Sequence, residues 1–379
     1  MTRTFGRLLA EVVGVGLLLC VPVLADRMVD VASWLLTCSL GLVVGVATRL
    51  ALAHRTEERG VLAGDPVEQG VISAWYVGGI LAGQVFLCGF AGHVVAAAIG
   101  AGGAGGWIGV GLLVLSGLLA LARPALGDAA KRARTVLTVL TALVWSWWPA
   151  AVDLSGTSSA VSAAGPVATG LLFFVSIVGW EVRRSWSPAE SRTGRRVLFP
   201  VFLVVAAFGA GLISLRLVRA GADGPGSAGP VLAALVGLLA VSYCRTNLVA
   251  ASTLSAGLRG TRGPLPVAAA VAPVAVVLVL AQLRGWEVGY FLYGPAAMTL
   301  CLFAWMSGRV AANAAAATGA RVAGIAGAGA LLVVSPALGP AILFPGVVGA
   351  IAFARFALVR PGGPAGAARR SGTEIEEAT

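Results

Sequence analysis

Twelve apolar segments follow one another along the chain, and the arginines between them collect in alternate gaps. The segments are Leu8–Leu24, Val31–Ala53, Val71–Ile99, Trp107–Ala122, Val136–Val152, Val167–Val182, Val197–Leu215, Val231–Leu254, Val267–Leu283, Val288–Met306, Val322–Ser335 and Ala341–Leu358. A helix rising about 1.5 Å per residue needs about 20 apolar residues to cross a hydrocarbon core of about 30 Å, and most segments are near that length. With Arg3 and Arg7 on the inner side, all but four of the 27 basic residues fall in inner loops or at inner helix ends. The outer loops hold only Arg27, Arg216, Arg219 and Arg284. This asymmetry places both termini in the cytoplasm. The expected fold is an all-α polytopic membrane protein with about twelve transmembrane helices, a single membrane domain over 1–358 and a disordered cytoplasmic tail over 359–379.

Composition points the same way. Hydrophobic residues make up 58% of the chain and charged residues 11%, with a mean hydropathy of +0.92. A soluble domain carries about twice that share of charge. The net charge of +11 is spread over many short loops and is not gathered beside aromatic residues in a soluble domain. It therefore reads as topology plus attraction to anionic inner-leaflet lipid, and excludes a nucleic-acid partner. Lys131 is the single lysine, and alanine, glycine and valine abound. That bias suggests a GC-rich bacterial genome and hence the bacterial cytoplasmic membrane. Cys20, Cys38, Cys88, Cys244 and Cys301 all lie inside apolar segments at no metal-ligand spacing. They read as packing residues, with neither disulfide nor metal implied. Arg3, Arg7, the apolar run and Val23-Leu24-Ala25 share features with a cleaved signal peptide, but Glu11 interrupts the run and the segment is expected to serve as an uncleaved first span.

The inner loops His54–Gly70, Arg123–Thr135 and Arg183–Arg196 are too short to bury a core. Glycine, at 52 residues, is concentrated within the spans, where small side chains let membrane helices approach. Pro149, Pro273, Pro295 and Pro345 are expected to kink or interrupt helices. Ionisable or strongly polar groups inside a bilayer are costly and mark functional candidates. Glu11 stands near the inner end of the first span. Gln84 and His93 lie deep in the third, nine residues apart and so on opposite faces. Tyr243, Arg245 and Asn247 form a polar patch late in the eighth, with Tyr243 and Asn247 one turn apart. Gly179-Trp180-Glu181 closes the sixth span, where an interfacial belt is the plainer reading. With two histidines, no carboxylate pair at mid-membrane and no phosphate-cradling loop, the sequence offers no material for catalysis and implies no cofactor.

Several stretches resemble the amino acid, polyamine and organocation (APC) superfamily of transporters, in particular the bacterial exporters of methionine and branched-chain amino acids. Phe173 to Glu181 is similar to the family's sixth helix, and Glu190 with the basic residues up to Pro200 to the loop after it. Ser33 to Arg49, Gly60 and Ala74-Trp75-Tyr76 resemble the second and third helices, Tyr243 to Gly257 the eighth and Tyr290 to Arg309 the tenth. The resemblance implies a LeuT-like core of two five-helix inverted repeats, about 8–152 and 167–306, with peripheral helices over 322–358. It also implies breaks in the first and sixth helices, at Gly14, Gly16, Ser176 and Gly179, whose backbone groups hold the substrate. Side-chain selectivity would come from Gln84, Phe174, Tyr243 and Asn247, with Glu11, His93, Glu181 and Arg245 as gating or coupling candidates. The resulting expectation is a secondary transporter of small neutral amino acids. One departure supports an alternative: Gly14-Val15-Gly16 runs straight into Leu17-Leu18-Leu19-Cys20, leaving the first span about two turns short of the family's. A transporter-derived protein that no longer transports, acting as scaffold, partner or sensor, is the second expectation.

Overall fold

A computed structural model describes residues 35–44, 66–122, 126–146, 229–255, 266–286, 291, 293–313 and 318–358. Among these the chain is almost wholly helical and contains no strand. The helices are α1 (Leu35–Val44), α2 (Pro66–Ala98), α3 (Gly105–Ala122), α4 (Asp128–Ser146), α5 (Gly229–Leu254), α6 (Val267–Arg284), α7 (Tyr293–Ala312), α8 (Thr318–Val334) and α9 (Leu343–Leu358). Four apolar stretches, Gly70–Ala98, Gly102–Ala122, Gly229–Leu254 and Val267–Arg284, are long and apolar enough to cross a membrane, and α1, α8 and α9 are shorter apolar helices. Four described helices, not twelve, are thus both long and apolar enough for a span. The first, sixth and seventh expected spans lie outside the described residues.

The ends differ from the sequence expectation in ways local chemistry explains. Inner loop 54–70 ends early because Pro66 suits a first helical position, where its missing N–H has no partner to lose, and Glu68 favours the positive end of the helix. Inner loop 123–135 is helical from Asp128, since Ala129, Ala130, Lys131, Arg132 and Ala133 are strong helix formers. Pro295 and Pro345 lie in the first turns of α7 and α9 and so start helices instead of breaking them. Among the described residues of that set only Pro273 stands inside a helix, and Pro149 lies outside the described residues.

The long helix α2 is the spine. Its C-terminal half packs against α3 and α5, and its N-terminal half against α7 and α9. The apolar side chains that cannot meet a partner face outward: Val333 is 79% exposed, and Leu118, Leu121, Leu280, Leu283, Ile325 and Ile351 are also exposed. Phe86, Leu87, Phe90, Leu113, Leu239 and Leu248 fill the interior. A water-soluble protein does not present so many large apolar groups over its flanks, and bilayer hydrocarbon is the solvent that suits them.

The α2–α3 turn sets how closely these two helices meet. Gly100 takes a left-handed conformation (φ 71°), and a short 3-10 turn over Gly102–Ala104 leads into α3. A Cβ on Gly92 would collide with Gly105 O and lie 2.5 Å from Gly109 N, and one on Gly109 would lie 2.7 Å from Cys88 O. Only glycine permits this backbone-to-backbone crossing. Across it, the Gln282 amide of α6 accepts from Gly106 N at 2.8 Å and donates to Gly103 O at 3.0 Å. One side chain therefore satisfies a free N–H at the start of α3 and a carbonyl of the preceding turn.

Candidate functional site

One cluster of described polar groups lies where α4 and α5 meet. On α4, Thr135, Thr138 and Thr141 are buried, and each hydroxyl donates to the carbonyl one turn earlier. Because Thr138 donates its only proton to Arg134 O at 2.8 Å, the Tyr243 hydroxyl, 2.9 Å away, must be the donor in that pair. Tyr243 is itself buried, at 5% exposure. The Arg134 guanidinium stacks on the Tyr243 ring, 4.2 Å from its centroid, a cation–π arrangement that favours a partly desolvated cation. Its Nη1 donates to Thr246 Oγ1 at 2.7 Å and, more weakly, to Ser242 O at 3.3 Å. Thr246 in turn donates to Ser242 O at 3.0 Å. Arg134 is thus fixed by a hydroxyl, a carbonyl and a ring face on α5.

Gln84 occupies the neighbouring seam. It is 2% exposed, its Nε2 donates to Ile80 O at 2.9 Å, and its Oε1 is buried with no hydrogen-bond partner. Gln84 precedes Cys88 by one turn and shares its face with Val95. Cys88 meets Cys244, with sulfurs 3.7 Å apart, and Val95 packs 3.5 Å from the place of a Cβ on Gly237. The α2–α5 seam therefore runs through these pairs, and one turn beyond Cys244 it reaches the fully buried Leu248 and the half-buried Asn247.

Of the residues singled out in the sequence, Tyr243 and Asn247 lie one turn apart on α5, and Gln84 lies on the α2 face, shared with Cys88, that meets α5. Arg245 leaves α5 about 200° around from Tyr243, so the expected patch divides. His93 sits at the α2–α3 crossing: its Nδ1–H donates to Gly89 O at 2.8 Å, and its ring fills the space that a Cβ on Gly105 would need. It packs there, on the face of α2 opposite Gln84. Glu11, Gly14, Gly16, Phe174, Ser176, Gly179 and Glu181 lie outside the described residues.

Sequence reasoning missed Arg134, Thr138 and Thr246. The signal was present as a polar stripe at Arg134, Thr138 and Thr141, spaced four and three residues along one helix face, but assigning Arg134 to a loop hid it. A second polar cluster lies at the other end of α2. Glu68 Oε1 accepts from Trp305 Nε1 at 3.1 Å and lies 3.5 Å from Arg309 Nε, tying α2 to α7. Trp75 meets Trp305 edge-on and donates its Nε1–H to Pro345 O at 2.8 Å, which joins α9 to the same cluster. Among the described residues no group of histidine, cysteine and acidic side chains forms a metal site. The chain matches no protein-family model and no curated protein.

Proposed function

We propose that this chain is a secondary transporter that moves small neutral amino acids or related metabolites across the bacterial cytoplasmic membrane by alternating access. The observation that carries the reading is the buried, unpartnered Gln84 Oε1 in the α2–α5 seam. Leaving a buried acceptor without a donor costs about 1–3 kcal/mol, and a solute ammonium or hydroxyl group supplies that donor. The Tyr243 hydroxyl and Asn247 amide adjoin the same helix face, and Arg134 provides fixed positive charge for a carboxylate where α4 joins α5. A neutral amino acid carries both complementary groups. The finer architecture, two five-helix inverted repeats over about 8–152 and 167–306 with both termini inside, belongs to this proposal. It rests on the family resemblance and on the charge asymmetry of the loops.

The test is uptake and efflux of labelled neutral amino acids in proteoliposomes, comparing wild type with Gln84→Leu and Tyr243→Phe. Saturable flux that is lost in Gln84→Leu and reduced in Tyr243→Phe, in protein that stays monodisperse, supports the reading. A specific observation favours the alternative of a scaffold or sensor: the seam is filled by Leu87, Cys88, Leu239, Cys244 and Leu248, none more than 1% exposed. Folded wild type that moves no amino acid of the panel decides for that alternative.

A further inference from the structure

From the placement of α8 and α9 against α2, we infer that Thr318–Leu358 is a re-entrant helical hairpin, which enters and leaves the bilayer on the side of Arg321 and Arg355 and turns within the hydrocarbon. The inference rests on the membrane reading alone, so failure of transport would leave it standing.

Length is the first argument. Two full crossings need about 40 apolar residues, whereas α8 has 17 residues and α9 has 16. Position along α2 is the second. Phe356, near the end of α9, fills the place of a Cβ on Gly70, whereas Phe344, near its start, lies 3.9 Å from the place of a Cβ on Gly294. That same Gly294 position is 3.1 Å from Ala82 Cβ, and Ala82 is the central residue of the 33-residue α2. The first turn of α9, next to the hairpin tip, thus stands level with the middle of α2, about 27 Å along the helix axis from the α2–α3 turn at Gly100. Both turns would reach the same membrane surface only if α2 lay nearly flat between them. Its antiparallel packing against α3 and α5, each long and apolar enough to cross, argues against that.

The chemistry of the tip fits hydrocarbon. Between Arg321 and Arg355 there is no charged residue, and Ser335 is the only side chain in that stretch with a hydroxyl, amide or charged group. A connection at the membrane surface would carry polar groups. Ser335 returns its hydroxyl to Leu332 O at 2.8 Å, and the Ser335–Ile342 turn holds 3-10 hydrogen bonding except at Gly339 (φ 52°). Pro336 and Pro340 have no N–H to leave unsatisfied. The backbone polarity that bars irregular structure from lipid is thereby largely removed. Leu332, Val333, Leu343, Val347, Ile351 and Phe353 are all exposed along the hairpin and turn apolar surface to the lipid.

Spin labels measure the depth directly. In a chain whose native cysteines are replaced by alanine, nitroxides are placed singly through Pro336→Cys and Val333→Cys at the tip, Gly319→Cys at the base and Gly102→Cys at the α2–α3 turn. Collision with dissolved oxygen and with a water-soluble nickel chelate is then compared in reconstituted vesicles. The expected result is nickel-accessible labels at 102 and 319, with the labels at 333 and 336 protected from nickel and open to oxygen. Val333→Cys keeps the test decisive if Pro336→Cys does not fold. Nickel accessibility at 333 or 336 comparable to that at 102 overturns the hairpin and restores two full spans.

Discussion

Cys88 Sγ and Cys244 Sγ lie 3.7 Å apart, both fully buried, and join the middle of α2 to α5 across 156 residues of chain. As separate cysteines in separate apolar segments they carried no pairing signal, yet they fix the register of the seam that holds Gln84. Thiols this close in a dry interface are expected to be bridged by mercuric ion. After cleavage at a protease site engineered into the glycine- and proline-rich sequence Gly221–Ser227, the two fragments should stay together on a denaturing gel. Cys244→Ala should release them. Separate fragments from the mercury-treated wild type would mean that α2 and α5 do not meet in this register.

The glycine crossing of α2 and α3 predicts a strong contrast between two conservative substitutions. Gly92→Ala pushes a methyl into Gly105 O and the Gly109 backbone, atoms that cannot yield without separating the helices. Overpacking of this kind costs about 1–3 kcal/mol. Gly111→Ala points into open space and should change stability by no more than about 0.5 kcal/mol. Thermal unfolding in detergent should show a clear drop in midpoint for the first and almost none for the second.

Gln282 closes the same turn with one acceptor and one donor bond. Replacing it with leucine, similar in volume, leaves Gly106 N–H and Gly103 O without that partner. A loss of about 1–3 kcal/mol is expected, larger if the turn lies in lipid than if water reaches it. Gln282→Glu keeps the acceptor and loses the donor, so its melting midpoint should lie between wild type and Gln282→Leu.

At the α4–α5 contact, Tyr243→Phe removes a donor to Thr138, whose own bond to Arg134 O survives. The stability cost is expected near 1 kcal/mol, the usual net worth of one hydrogen bond. Arg134→Met is expected to cost more, because it removes the ring stacking and the bonds to Thr246 and Ser242 O. A midpoint for Arg134→Met no lower than that of Tyr243→Phe would show that the guanidinium contributes no more than the tyrosine hydroxyl.

Glu68 offers a check of the opposite kind. Its ion pair with Arg309 is separated by 3.5 Å, and the arginine side chain is 51% exposed, so solvent screens most of the attraction. Arg309→Ala should therefore shift stability by less than about 1 kcal/mol. Glu68→Leu, which also removes the acceptor for Trp305, should cost more in the same unfolding measurement.

Much of the fold was legible because helices in lipid must be apolar along their length and must satisfy their own backbone. Segments such as Val231–Leu254 and Val267–Leu283 matched α5 and α6 to within two residues. The loop ahead of the fifth segment was misread because a basic run of good helix formers resembles a solvated loop in a hydropathy profile. Gln84, Tyr243 and Asn247 stood out as polar residues where polarity is expensive. Arg134 and Thr138 did not, since their significance lies in Tyr243, more than a hundred residues away.

What the sequence determined by itself is the solvent of the protein and the class of its structure. The density of apolar residues leaves no other place to bury them, and the alternation of charge is read directly along one dimension. Only the tertiary structure decided which polar groups meet, that Cys88 faces Cys244, that Gln282 closes the α2–α3 turn, and that the start of α9 stands level with Ala82. Those relationships depend on the register of packed helices, which small residues such as Gly92 and Gly109 set by steric fit, and hydropathy carries no record of register.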